Sequence, residues 1–127
     1  MVFIMDKQNF VKQLANVSDL MAKEKYQEAL IIIEKLKEIE KNGDFDYNLT
    51  HKLYQLDSNT RSLYNQEVIL NQIKALTTKQ TTISFKELLE LIKDDLLIDE
   101  STLRKEIELL ILRDKIQIQI DGNELKF

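Results

Sequence analysis

Apolar residues recur every three or four positions through the first half of the chain, which is the spacing of one face of an α-helix. The pattern predicts helices over about residues 6–21 and 24–41, and Asn42-Gly43 provides a stop after the second. A further helix is predicted over about 60–76, because Asp57-Ser58-Asn59 supplies capping side chains before it. Between these lies a short third helix, whose apolar face consists of Phe45, Leu49, Leu53 and Leu56.

Two more helices are predicted after a polar loop and a short strand around Ile83. Ser84-Phe85-Lys86-Glu87 has the sequence of a capping box, which satisfies the first amides of a helix, so a helix covers about residues 85–95. Asp99 is in position to cap the next helix, over about 99–112. The buried side of that helix is predicted to hold Leu103, Ile107, Leu110 and Ile111.

The last segment alternates polar and apolar residues on both sides of Asp121-Gly122, which predicts a β-hairpin. With these two residues as the turn, Ile118 is expected across from Leu125 and Ile116 across from Phe127, all on one face. The order helix, strand, helix, helix, hairpin is that of a winged helix, in which the hairpin is the wing.

The predicted fold is therefore mostly α with a small β component. A helical-repeat-like segment over residues 1–58 precedes a winged helix with a C-terminal β-hairpin over 59–127. A length of 127 residues agrees with one domain or two very small ones. The chain contains no proline and two glycines, which leaves no room for a flexible linker between the two parts.

Composition excludes several classes of protein. There are 18 Lys and Arg against 22 Asp and Glu, so the net charge of -4 is not that of a polycation that binds nucleic acid through bulk charge. The absence of cysteine removes disulfides, thiolate nucleophiles and cysteine metal clusters. The apolar run Val2-Phe3-Ile4-Met5 is too short for a signal peptide, and no segment has the apolar length of a membrane span. We therefore expect a cytoplasmic protein that does not contact a membrane.

The sequence contains few of the residues that catalysis or metal binding requires. His51 is the single histidine of the sequence, and without a cysteine or a second histidine the usual set of nucleophile, base and orienting group cannot be assembled. The segment Asp44-Phe45-Asp46-Tyr47-Asn48 is similar to the start of a calcium loop, but Leu49 stands where glycine is needed and Gln55 where glutamate is needed. The expected protein is not an enzyme, holds no cofactor or metal and takes no small-molecule substrate.

Short motifs in the C-terminal half resemble the PCI module, a winged-helix domain of large assemblies. Ile83-Ser84 stands at the start of its second helix, Leu112-Arg113-Asp114-Lys115-Ile116 leads from the third helix into the wing, and Ile120-Asp121 follows within the wing. The resemblance covers about residues 60–127. Upstream, Lys25-Tyr26-Gln27-Glu28-Ala29-Leu30 looks like the second helix of a tetratricopeptide (TPR) hairpin.

This resemblance implies a minimal PCI protein with a single TPR-like hairpin. Members of the family are scaffold subunits of the proteasome lid, the signalosome and the multisubunit translation initiation complex, and they are joined through their winged-helix sheets. Some relatives contact RNA or DNA. The implied function is thus a non-enzymatic scaffold or adaptor for protein-protein interaction in a larger assembly, with other proteins or a second copy of the chain as partners.

Three apolar residues outside the buried helix stripes also favour a protein interface. These residues are Ile31, Leu109 and Leu112. Contiguous exposed apolar surface usually marks an interface. The alternative is that the N-terminal half of the chain covers Leu109 and Leu112. The edge of the hairpin is a second candidate surface, because unpaired strand groups can accept another strand.

The alternative function is a winged-helix nucleic-acid-binding protein with little sequence specificity. In this fold the third helix enters the major groove and the wing contacts the phosphate backbone. The outward side of helix 99–112 is also expected to carry Glu106 and Glu108, which repel phosphate, so binding would depend on a few cations. The candidate residues for this contact are Lys79, Arg104, Lys105, Lys115, Gln117 and Lys126.

Overall fold

The computed structural model of the protein describes residues 6–127, which form five α-helices and one small antiparallel β-sheet. The helices are α1 (Lys7–Ala22), α2 (Tyr26–Lys41), α3 (Tyr47–Leu76), α4 (Phe85–Ile92) and α5 (Glu100–Leu112). The strands are β1 (Thr82–Ser84), β2 (Gln119–Asp121) and β3 (Glu124–Lys126). The predicted fold class, mostly α with a small β component, is confirmed.

The chain divides into two compact units between Tyr64 and Asn65, a position inside α3. The first unit contains α1, α2 and the first part of α3. The second contains the remainder of α3 and all elements that follow it. The sequence interpretation places its domain boundary slightly earlier, between residues 58 and 59.

The core of the first unit is built from the apolar stripes of its helices. Phe10 of α1 stacks on Phe45, with ring centroids 4.4 Å apart. Gly43 allows this ring to approach the backbone, since a Cβ at that position would lie 2.5 Å from Phe45. The carboxylate of Asp46 then accepts the N–H of Leu49 at 3.0 Å and starts α3. The buried core residues are Phe10, Leu14, Val17, Ala29, Ile33, Leu36, Leu53 and Leu56.

Three helix starts that the capping residues predict are confirmed. Asp6 accepts an amide of the first turn of α1 at 2.8 Å. Ser84 accepts the N–H of Glu87 at 3.1 Å, which is the N-cap half of the predicted capping box of α4, and its hydroxyl donates to the Glu87 carboxylate at 3.0 Å. Asp99 accepts the N–H of Thr102 at 2.7 Å at the start of α5, and this hydrogen bond lowers the pKa of Asp99.

The predicted break between a third and a fourth helix is wrong. α3 continues without interruption through Asp57-Ser58-Asn59. The carboxylate of Asp57 is engaged elsewhere, because one oxygen lies 3.2 Å from Nζ of Lys37 and the other 2.8 Å from Nε of Arg61. Asp57 therefore stays inside the helix as an ion-pair partner and does not cap a new one.

In the second unit, the strands lie in the order β1-β3-β2, so β3 is central. Leu125 of β3 is buried and pairs with Ile83 of β1 and Ile120 of β2. α4 ends at Ile92, before the predicted end at residue 95. The buried side chains of α4 and α5 are Phe85, Leu88, Ile92, Leu103, Glu106, Ile107 and Leu110.

The predicted hairpin is present, but its predicted register is wrong by two residues. The residue across from Leu125 is Ile120, whereas Ile118 and the residues before it lie outside the strand. The turn consists of Gly122-Asn123. Gly122 has a φ of 61° and stands at the first central position, where a type II′ turn needs glycine. Because side chains alternate with a period of two, the shift leaves the predicted apolar face unchanged.

Candidate interaction surface

α5 ends in a motif that reverses the direction of the chain. Asp114 has a φ of 58°, the left-handed conformation that is common just past a helix end. The N–H of Lys115 donates to the carbonyl of Leu110 at 2.9 Å, and the N–H of Asp114 donates to that of Ile111 at 3.0 Å. These two bonds form a Schellman motif, which satisfies carbonyl groups at the end of the helix. The chain therefore turns directly from α5 into residues 115–118.

A groove with a volume of about 600 Å³ lies where the end of α5 meets this segment and the hairpin. Its apolar side chains are half-buried and are Ile111, Ile116, Ile118 and Phe127. Its polar side chains are Asp114, Gln117, Gln119 and Lys126. Leu112, next to Ile111 in the chain, is 80% exposed. The end of α5 and the groove together present apolar surface to solvent.

The outer edge of β2 has no strand beside it in residues 6–127. β2 pairs with β3 alone. The alternating sequence before the turn begins at Lys115, but β3 is three residues long and pairs with only Gln119–Asp121 of this sequence. Residues 116–118 and the outer edge of β2 therefore keep backbone groups that another strand can bind.

Two of the three apolar residues predicted for a protein interface are exposed. Ile31 on α2 is 58% exposed, and Leu112 on α5 is 80% exposed. Leu109 is half-buried. Ile31 belongs to the first unit, so the candidate surface of the second unit consists of Leu112 and the groove.

Two of the predicted nucleic-acid contacts are engaged within the protein. The guanidinium of Arg104 lies 4.3 Å from the ring centroid of Phe85 and donates to the carbonyl of Gly122 at 2.9 Å. Nζ of Lys126 lies 2.6 Å from the carboxylate of Asp121. The hydrogen bond and charge of Asp121 raise the pKa of Lys126, and the same contact lowers the pKa of Asp121. Arg104 thus links α5 to the hairpin turn, and Lys126 pairs across the hairpin from β3 to β2; the sequence does not indicate the contact of Arg104.

The remaining candidates for nucleic-acid contact are exposed. Lys79 follows α3, Lys105 lies on the outward side of α5, and Lys115 and Gln117 lie in the segment before β2. The ion pairs found within residues 6–127 include none of these three lysines. They are available to phosphate, although Gln117 also lines the apolar groove.

Glu106 does not lie on the outward side of α5 as expected. It is buried, because its position falls between Leu103 and Leu110 on the stripe that the helix directs into the core. Glu108 is exposed, as expected. The outward side of α5 thus carries one of the two predicted carboxylates.

A ring of charged side chains in the first unit was not foreseen. Glu34 and Lys37 of α2 face Asp57 and Arg61 of α3. Nζ of Lys37 lies 3.2 Å from Asp57 and 3.6 Å from Glu34, and Arg61 pairs with both acids. Burial lowers the pKa of Lys37, but the hydrogen bond and charge of Asp57, aided by Glu34, outweigh it and raise the pKa overall. The spacing of Asp57 and Arg61, four residues apart on one helix, is the sequence signal that indicates part of this ring.

Residues 6–127 contain no group of three or more His, Asp or Glu side chains arranged to hold a metal ion. His51 is exposed and stacks on Tyr47, with ring centroids 5.8 Å apart. No helix in this range combines the length and the apolar content that a membrane span requires.

Comparison with protein-family models, with curated proteins and with solved structures found no match to this chain.

Proposed function

We propose that this protein is a non-enzymatic protein-interaction module that acts as a scaffold or adaptor in a larger assembly. The observation that carries the proposal is the apolar surface at the end of α5, where Leu112 is 80% exposed beside a groove of about 600 Å³. When a partner removes such a large apolar side chain from water, the free energy of the complex falls, which favours binding.

The chemistry of the groove suits a protein partner. Its half-buried isoleucines and Phe127 can accept apolar side chains, and the adjacent edge of β2 can form main-chain hydrogen bonds with an extended segment. Gln117 and Gln119 add neutral hydrogen-bonding groups to the same rim. This combination of apolar centre and polar rim is the usual anatomy of a protein interface.

A winged helix of PCI type is the architecture we propose for residues 59–127. The order of α3, β1, α4, α5, β2 and β3 and the strand order β1-β3-β2 support it. The positions of the motifs also support it, since Ile83-Ser84 leads into α4 and Leu112–Ile116 leads from α5 towards the hairpin. A scaffold function would follow from membership of that family.

The proposal is tested by placing a charge in the candidate surface. A partner captured from native extract is identified and its affinity for the purified protein is measured by calorimetry. Leu112→Asp is expected to weaken binding at least tenfold, whereas Leu97→Asp serves as the matched control, because Leu97 is 97% exposed and does not line the groove. Circular dichroism confirms that both variants fold. Equal affinities of the wild-type protein and Leu112→Asp would contradict the proposal.

Nucleic-acid binding without sequence specificity is a second candidate function, favoured by the exposed Lys79, Lys105 and Lys115. Fluorescence anisotropy with labelled double-stranded DNA, single-stranded DNA and RNA tests it at low and near-physiological salt. Binding that weakens steeply with salt and ignores sequence would support this function. Flat titration curves for all three nucleic acids would exclude it.

A further inference from the structure

The middle of α3 contains four consecutive residues that favour the start of a helix over its interior. Asp57, Ser58, Asn59 and Thr60 have short polar side chains that compete for nearby backbone groups, which is why such residues are preferred at helix N-termini. The helix nevertheless continues through all four. The local preference of the sequence and the observed conformation therefore disagree at this segment.

Thr60 shows that the continuous helix leaves a polar group unsatisfied. Its side chain is fully buried, and its hydroxyl makes no hydrogen bond within the described residues. A buried hydroxyl without a partner disfavours the conformation that buries it. The unsatisfied hydroxyl of Thr60 is therefore one specific group that disfavours the continuous helix.

The apolar pattern does not require one continuous helix either. Leu53 and Leu56 precede the segment, and Ile69 and Ile73 follow it. At about 3.6 residues per turn, these two pairs do not fall on a common stripe of the helix. No single apolar stripe extends across residues 57–60.

The ion ring is the interaction that favours continuity. Asp57 is 13% exposed at its side chain, and its two oxygens are bound by Lys37 of the neighbouring helix and by Arg61 one turn later. The contact with Arg61 requires the helical spacing of four residues. A carboxylate that caps a helix instead sits on an extended residue and accepts amides two or three residues later. Asp57 can serve the ring or a cap, and each role excludes the other.

We propose that α3 is a two-state element whose continuity is set by the ion ring of Glu34, Lys37, Asp57 and Arg61. With the ring closed, α3 is one helix. With the ring open, Asp57 caps a helix that begins directly after it, and α3 divides within residues 57–60. A ligand or modification that engages Lys37 or Arg61 shifts the population toward the divided form by its differential affinity for the two forms.

Amide hydrogen exchange followed by NMR tests the proposal, because a divided α3 leaves the first amides after Asp57 without carbonyl partners. Lys37→Met removes one cation of the ring and is expected to raise exchange rates at residues 58–61 at least tenfold. Rates at residues 69–74 are expected to stay unchanged. Lys35→Met is the matched control, since Lys35 is an exposed lysine of α2 outside the ring.

Two substitutions of Asp57 separate a switch from a simple loss of ion pairs. Asp57→Asn and Asp57→Ala both remove the charge, but asparagine retains the ability to cap and alanine does not. Exchange at residues 58–61 is expected to rise at least tenfold in Asp57→Asn and less than threefold in Asp57→Ala. Equal rates in the two variants, a uniform rise over the whole of α3, or no rise in any variant would overturn the proposal.

Discussion

Arg104 connects three elements of the second unit through one side chain. It starts on α5, lies against the ring of Phe85 at the start of α4, and donates to the carbonyl of Gly122 in the hairpin turn. A charge-assisted hydrogen bond and a cation–π contact act together here, so the residue fixes the hairpin relative to the two helices. This internal role removes Arg104 from the set of cations available to nucleic acid.

Replacement of this side chain should destabilise the protein without changing its surface chemistry elsewhere. Arg104→Met is expected to lower the free energy of unfolding by about 1–2 kcal/mol, because a charged hydrogen bond and a cation–π contact are lost. Urea unfolding measures the change. The neighbouring Lys105→Met provides the control and should stay within about 0.5 kcal/mol of the wild-type protein. Equal changes in both variants would refute the structural role of Arg104.

The pair of Asp121 and Lys126 makes a prediction about pH. Its hydrogen bond and charge lower the pKa of Asp121 in the folded protein, so its contribution to stability is present above the ordinary aspartate pKa of about 3.9. That contribution disappears as the pH falls through the lowered value. In Lys126→Met the pKa of Asp121 should return toward about 3.9, as measured by NMR titration of the carboxyl carbon. Lys115→Met should leave it unchanged. An identical pKa in wild-type protein and Lys126→Met would contradict the ion pair.

At the scale of the element, local interactions were predictable and competing long-range ones were not. Asp6, Ser84 and Asp99 each cap a helix through the amide three residues later, and sequence spacing alone reveals such contacts. The continuity of α3 depends on Lys37, twenty residues before Asp57, and no local pattern contains that information. The hairpin register failed because Asp121-Gly122 and Gly122-Asn123 are both plausible turns, and the backbone of Gly122 fits the second.

The Ser84 N-cap of α4 gives the clearest prediction at this scale. Ser84→Ala removes the acceptor for the N–H of Glu87 and is expected to lower the free energy of unfolding by about 1 kcal/mol. Ser84→Asp keeps an acceptor at the same position and should retain most of the stability. Chemical denaturation of the three proteins provides the comparison. If Ser84→Ala and Ser84→Asp lose the same stability, the hydrogen bond is not what holds the start of α4.

For the whole molecule, the candidate site was predictable in part. The position of Leu112 off the buried stripe of its helix indicated its exposure, and the pattern of alternating isoleucines indicated an apolar face on the hairpin. The groove depends on the reversal after α5, where Asp114 adopts a left-handed conformation that its sequence does not specify. The internal use of Arg104 also follows from contacts distant in sequence, with Phe85 and Gly122. Apolar surface consequently dominates the candidate site, and exposed cations are few.

The ratio of apolar surface to exposed cations determines how binding responds to salt. Among the candidate contacts, the cations free for phosphate are Lys79, Lys105 and Lys115, so binding of duplex DNA through them should give a slope of log K against log salt no steeper than about -2.7. Lys105→Gln with Lys115→Gln should reduce its magnitude by about 1.8. The net charge of -4 further opposes association with a polyanion.

Binding of a protein partner through Leu112 and the groove removes apolar area and displaces few ions. Its affinity should therefore change less than about threefold between 50 and 200 mM salt. Calorimetry and anisotropy over the same salt range compare the two. A slope for the protein partner as steep as that for DNA would show that charge, and not the apolar groove, carries the contact.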